Sequence, residues 1–228
     1  MNAHEDIIRD VPLLARLAAA DLRDIASKGR LHSYRSGTTL FREGDPGDAL
    51  YVVVEGNVRI VVLSAEGTEA TVAMLGPGEF VGDLALLDGR PRSASAIASE
   101  PTKTLIVTRD DFADWLSRRP KAAFALLETL SLRVRRTDEA LTDLAFLDLP
   151  HRLAKRLWDI GVVRSPQGSG RTRANIRLRI TQAELASMLG VSRESVNKQL
   201  NAFAREGWLK LGRGSITLVD PEALRTFV

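Results

Sequence analysis

Two regions of the sequence carry side chains whose types and spacing suit chemistry better than packing. The first runs from Thr181 to Gly207. Thr181 and Glu184 have the spacing of a capping box, with the glutamate placed to reach back to the threonine amide. Leu185, Ala186 and Leu189 then recur at helical spacing up to Gly190. Ser192 caps a second helix, in which Val196, Leu200 and Phe203 form an apolar stripe that ends before Gly207. Helix, a glycine-bearing turn of about four residues, and helix again is helix-turn-helix spacing. In such a unit the first residues of the second helix enter the major groove of DNA. Here the candidates are Ser192, Arg193, Glu194, Asn197 and Lys198, on the side away from the stripe. Arginine and lysine donate to guanine O6 and N7, and glutamate accepts from cytosine N4. Residues 208–211, the turn Gly212-Arg213-Gly214 and residues 215–219 add a two-stranded wing.

The second region lies between residues 34 and 108. One segment runs from Gly44-Asp45-Pro46-Gly47-Asp48 through a β-branched stretch to Gly56-Asn57-Val58, with glycines expected at positive φ. Another is Gly78-Glu79-Phe80-Val81-Gly82-Asp83-Leu84-Ala85-Leu86-Leu87, followed by Arg90-Pro91-Arg92-Ser93-Ala94-Ser95-Ala96. Arg92 would be costly inside an apolar sheet without an anion. Pairing with Asp83 or Glu79 is the alternative way to hold it.

Elements that could position these residues follow from periodicity. Residues 7–31 read as short helices, with Leu13, Leu14 and Leu17, then Leu22, Ile25 and Ala26, at helical spacing. Strands are expected at residues 38–41, 50–54, 58–63, 71–74, 95–98 and 104–107, separated by glycine-bearing turns. Many short strands at such intervals imply an antiparallel sandwich or jelly roll. Helix resumes at Asp110, and a long pattern runs from Lys121 to Leu147. In it Leu127, Leu130, Val134, Thr137, Leu141 and Leu144 step by three and four, a heptad seam that calls for a second copy of the helix. Asp148-Leu149-Pro150 breaks the pattern and starts a new helix at residues 151–160, because a residue before proline avoids helical backbone. Residues 164–173 are polar and glycine-bearing, hence a loop.

Charge divides the chain in the same place. Residues 1–148 hold 18 Lys and Arg against 23 Asp and Glu, and residues 149–228 hold 14 against 6. A negative first part and a basic second part imply two domains, with a polyanion as partner of the second. Cysteine is absent, which excludes disulfides, Cys-ligated zinc and iron–sulfur sensing. His4, His32 and His151 have no partners at metal-ligand spacing, so no metal is expected. No nucleophile–base arrangement is visible, so an enzyme is not expected. The polar, acidic start and the lack of a long apolar run point to a cytoplasmic chain without membrane association.

Taken together, the segments 44–58, 78–96 and 180–219 resemble the Crp–Fnr regulators, in the cAMP receptor protein branch, with every element in order from about residue 10 to 220. The resemblance implies an α+β protein: a cyclic-nucleotide-binding β-roll (jelly roll) over residues 1–119, a dimerisation helix and hinge over 120–148, and a winged helix-turn-helix over 149–228. It implies Gly82, Asp83, Arg92 and Ser93 around the phosphate and ribose of a cyclic nucleotide, and Thr137 and Asp138 at its base. Two positions depart from the family pattern. Asp83 stands where the family usually has Glu, and Asp138 where it has Ser or Asn. A carboxylate at 138 suits adenine N6–H and also the paired N1–H and N2–H of guanine, so cAMP and cGMP both stay open. The implied protein is a ligand-gated homodimer that reads palindromic DNA with TGTGA-like half-sites and contacts RNA polymerase. The alternative within the family is a constitutive regulator with no small effector.

Overall fold

The computed structural model describes residues 19–163, 175–178 and 180–227. It divides into two compact units between Arg135 and Arg136. Leu13, Leu14 and Leu17 lie outside the described residues, as does the loop 164–173.

The first unit begins with helix α1 (Ala19–Lys28), where Ile25 and Ala26 are buried. Helix was expected to residue 31, but the chain turns at Gly29 into strand β1 (Arg30–Tyr34). The reason is tertiary: β1 pairs antiparallel with β8 (Thr102–Thr108), from Arg30 opposite Ile106 to Tyr34 opposite Thr102. Between them run β2 (Thr39–Phe41), β3 (Ala49–Glu55), β4 (Val58–Leu63), β5 (Glu69–Leu75), β6 (Phe80–Val81), helix α2 (Asp83–Asp88) and β7 (Ser95–Ala98). The strands form two antiparallel four-stranded sheets, ordered β1-β8-β3-β6 and β2-β7-β4-β5. This is the expected jelly roll, with β1 and the two-residue β6 added. β6 is too short to show a period; its pairing with Tyr51 and Val52 makes it a strand.

Gly47 was expected at positive φ, and it is not among the glycines that adopt it. Its requirement is space: a Cβ there would lie 2.3 Å from the Cβ of Ala85. The loop before β3 is thereby packed directly onto α2.

Helix α3 (Arg109–Ser117) follows, capped by Thr108, and buries Phe112 and Trp115 with Ile25, Leu105 and Leu126. Helix α4 (Pro120–Phe146) is 27 residues long. Its first turns bury Ala122, Ala125 and Leu126 against the roll. Leu127, Val134, Leu141 and Leu144 of the heptad seam are 57–62% exposed, whereas Leu130 is half-buried against the roll. A seam position that also serves the roll core is a difference from the expected single-purpose stripe.

In the second unit α5 (Leu149–Trp158) starts two residues earlier than expected. Asp148 caps it by accepting from the His151 amide at 3.1 Å, and Pro150 fits the first turn, where no amide donor is needed. A π-helical turn, Asp159–Val163, ends it. Then come β9 (Ile176–Leu178), α6 (Gln182–Leu189), α7 (Arg193–Arg205), β10 (Leu209–Gly212), β11 (Ser215–Leu218) and α8 (Pro221–Phe227). The wing is three-stranded, ordered β10-β11-β9, because Ile176–Leu178 closes the open edge of β11. Val196, Leu200 and Phe203 are buried as expected, at about 1.5–3 kcal/mol each. Among the described residues no helix is long and apolar enough to cross a membrane.

The Thr181 capping box forms in full, with the Glu184 amide donating to Thr181 Oγ1 at 3.1 Å and Glu184 Oε2 accepting from the Thr181 amide at 2.7 Å. Thr181→Ala should therefore lower the unfolding free energy of the second unit by about 1 kcal/mol, read as a lower urea midpoint with unchanged slope.

Candidate effector and DNA-binding sites

The effector candidates in the roll gather at one corner. β6 delivers Val81 to Gly82, which caps α2 at φ 91°. That backbone favours glycine, and a Cβ there would lie 2.3 Å from Arg92 Nη1. Arg92 is only 3% exposed. Its Nη1 donates to the Gly82 carbonyl at 2.9 Å and its Nη2 to the Ala49 carbonyl at 2.7 Å. The guanidinium lies 4.3 Å from the centre of the Phe41 ring. Its nearest countercharge is Asp48, 3.6 Å from Nη2 and well exposed to water. The Nε–H has no hydrogen-bond partner among the described residues. Burial pushes the Arg92 pKa down, opposed by Tyr51, Asp48, Asp45 and Asp83. An arginine stays charged in such a place, so the corner holds a buried cation whose hydrogen-bond acceptors are neutral carbonyls and whose Nε has no partner among the described residues.

Asp83 opens α2 and is 2% exposed. Its partner is not Arg92 but Arg133 of α4, whose Nη1 lies 2.9 Å from both carboxylate oxygens and whose Nη2 donates to the Phe80 carbonyl at 3.2 Å. Glu79 accepts from the Gly76 amide. Arg92 is thus hydrogen-bonded to neither acid. Arg133 was not among the sequence candidates. The available signal was its place one helical turn before Thr137 on the same helix.

Ser93 follows Arg92 and is exposed. Gly82, Asp83, Arg92 and Ser93 thus cluster, with a buried guanidinium, an exposed hydroxyl and a carboxylate held by a second arginine. Such a set can receive an anion joined to a hydroxyl-bearing sugar. Thr137 and Asp138 occupy exposed positions of α4 within the second unit.

The DNA-binding candidates lie on α6 and α7. Ser192 Oγ accepts from the Ser195 amide at 3.1 Å and pairs with Ser195 Oγ, so this residue shapes the helix start. Arg193, Glu194 and Lys198 are exposed and form no ion pair or hydrogen bond with described residues. Asn197 is exposed too, but its Oδ1 lies 3.0 Å from Gln182 Nε2 and 3.1 Å from Asn201 Nδ2. Three of the five candidates therefore present free polar ends on one face, and the buried stripe fixes which face that is.

A jelly roll with a buried cation at a glycine corner, followed along the chain by a winged helix-turn-helix with an unpaired charged face, is the layout of a DNA-binding regulator. The family model for the cyclic nucleotide-binding domain matches residues 31–119, and that for the Crp-like helix-turn-helix domain matches residues 151–227. The chain is 38% identical over 188 residues to the CRP-like cAMP-activated global transcriptional regulator of Mycobacterium tuberculosis, covering 82% of this chain and 83% of that one. It is 38% identical over 213 residues to the cyclic AMP receptor protein of Thermus thermophilus, covering 93% and 94%. Among solved structures it is similar to the c-di-GMP-responsive global regulator CLP of Xanthomonas campestris, with TM-score 0.77, 26% identity, and coverage of 88% and 99%. The chain belongs to the Crp–Fnr family of transcription regulators.

Removing Arg133 leaves the buried Asp83 carboxylate without the guanidinium nitrogen that both its oxygens share. Because the arginine side chain is 37% exposed, the loss is discounted from a fully buried pair to about 2 kcal/mol. Arg133→Met should lower the unfolding midpoint accordingly, and Arg133→Met combined with Asp83→Leu should recover part of it.

Proposed function

We propose that this chain is a homodimeric, cytoplasmic regulator switched by a cyclic nucleotide, cyclic AMP first and cyclic GMP second. The observation that carries the reading is Arg92: a guanidinium 3% exposed, with an unpaired Nε–H and its nearest carboxylate at 3.6 Å. A cyclic phosphate would add a countercharge beside Asp48 and accept from the unpaired Nε–H. Arg92 and Ser93 would hold that phosphate, beside Gly82 and the start of α2. Asp83 would take the ribose hydroxyl, since Arg133 leaves part of its acceptor capacity unused. Thr137 and Asp138 would meet the base. Relatives described as cAMP-activated favour cyclic AMP; a neighbour described as c-di-GMP-responsive makes cyclic dinucleotides a necessary control.

The exposed apolar side chains of α4 support a parallel dimer through this helix, because such a row facing water is costly. We divide the chain functionally into the roll at 1–119, the dimer helix and hinge at 120–148, and the DNA-binding part at 149–228. A two-fold dimer then reads a palindrome with TGTGA-like half-sites about one helical turn apart, through Arg193, Glu194 and Lys198. RNA polymerase is the further partner.

One observation favours a second reading. Arg92 donates to the Gly82 and Ala49 carbonyls, and bonds of this kind could hold it in a constitutive regulator without an effector. Titration calorimetry with cyclic AMP, cyclic GMP, a cyclic dinucleotide and buffer decides between the readings. Cyclic AMP should bind. Arg92→Ala should cost more than Ser93→Ala, about 1.5–3 against 0.5–1.5 kcal/mol, because it removes charge-assisted bonds. If no nucleotide binds, the constitutive reading stands.

Sedimentation tests the dimer. Wild type should sediment as a dimer at micromolar concentration, and Leu127→Ala with Leu141→Ala should dissociate it. Both are exposed in the single chain, so the pair leaves the roll core intact, which truncating Leu130 would not.

A further inference from the structure

The polar groups of α7 differ in how far the fold constrains them, and Asn197 is the one whose orientation is set. The chain of constraint starts at a backbone atom. Asn201 Nδ2 lies 2.9 Å from the Asn197 carbonyl oxygen, one helical turn back. A carbonyl can only accept, so the group facing it must be the amide nitrogen of Asn201. That same nitrogen lies 3.1 Å from the side-chain amide of Asn197, which must therefore turn its oxygen toward it. The oxygen faces Gln182 as well, at 3.0 Å, and so takes the Gln182 amide nitrogen as a second donor. Both lone pairs of Asn197 Oδ1 are then used. What Asn197 offers to solvent is its NH2 group alone.

We infer that Asn197 is a donor-only contact to DNA, oriented by Asn201 and Gln182, and that it does not read adenine. The usual asparagine contact to adenine needs both halves of the amide, oxygen accepting from N6 and nitrogen donating to N7. Here the oxygen is committed before DNA arrives. The matching chemistry is a hydrogen-bond acceptor: a phosphate oxygen, or guanine O6 or N7, or thymine O4. Arg193 and Lys198 are donors on the same exposed face, which leaves Glu194 as its acceptor. Asn201 and Gln182 are positioning residues that act through Asn197, and Gln182, the first residue of α6, ties the two helices together at that point.

This inference rests on α7 facing the DNA as proposed above, and the test separates the two. Binding selections on a random-sequence duplex pool, at one fixed salt concentration and with cyclic AMP present, would compare wild type with Asn197→Ala, Asn197→Asp, Asn201→Ala, the double variant Asn197→Ala with Asn201→Ala, and Arg193→Ala. Asn197→Ala should weaken binding about 3- to 10-fold per half-site, the worth of one neutral hydrogen bond. A loss equal for all sequences identifies a phosphate; a loss confined to one guanine or thymine identifies a base. Asn197→Asp keeps the oxygen that Asn201 and Gln182 hold but turns an anionic acceptor outward, so it should bind roughly tenfold weaker than Asn197→Ala. Asn201→Ala should weaken binding in wild type and do nothing further in the Asn197→Ala background, whereas a purely structural role would persist there. All three side chains are at least partly exposed, and unchanged circular dichroism melting would show each variant folded. Asn197→Asp binding as well as Asn197→Ala, or an adenine requirement that Asn197→Ala abolishes, overturns the inference while an altered Arg193→Ala motif leaves the helix placement standing. A motif unchanged in Arg193→Ala overturns the helix placement and this inference with it.

Discussion

The first unit is organised around a buried positive charge. Arg92 sits where two sheets and a short helix converge, and each neighbour adjusts to it. Gly82 has no side chain because the guanidinium occupies the place of its Cβ. Ala49 and Gly82 turn their carbonyls toward it, and Phe41 lies under its face. Gly47 lets the preceding loop close onto α2, which holds Ala49 and Gly82 around the same group. Neutral acceptors soften the cost of burial without cancelling the charge.

Asp83 shows the complementary solution. Its carboxylate is as buried as Arg92, yet it is matched by the Arg133 guanidinium from α4. One helix is thereby attached to the candidate ligand corner by an ion pair and, two turns earlier, to the roll core through Ala125 and Leu126. Any ligand that competes for Asp83 acts on the same bond that holds α4. In a two-state regulator such a bond would link an effector to the helix, because a ligand shifts an equilibrium only through bonds that differ between the states.

The DNA-binding unit separates the two tasks of its recognition helix by face. The inward stripe of Val196, Leu200 and Phe203 fixes the rotation of α7, and the capping residues fix where it begins. The outward face is then free of packing duties, so Arg193, Glu194 and Lys198 keep unpaired charges. Asn197 is the exception, tied into an amide chain that selects which of its atoms faces outward.

Much of this was legible in the sequence, because local physics decides it. The capping box, Gly190 and the stripe of α7 are encoded within a few residues of each other, and the helix-turn-helix followed from spacing alone. The Gly82-Asp83 and Arg92-Ser93 pairs were marked by the family resemblance, and for Arg92 alone the cost of burying a guanidinium added a physical reason. Other features depended on distant partners. β1 is a strand because β8 offers it an edge, and β6 because β3 does; neither has a period of its own. β9 joined the wing for the same reason. Leu130 looked like its seam neighbours until the roll core claimed half of it. Asp83 could have paired with Arg92 by sequence, and only the approach of α4 gave it Arg133, fifty residues away. Helical and capping interactions span three or four residues and are written in order along the chain. Strand pairing and buried ion pairs join residues that come together only when the chain is folded.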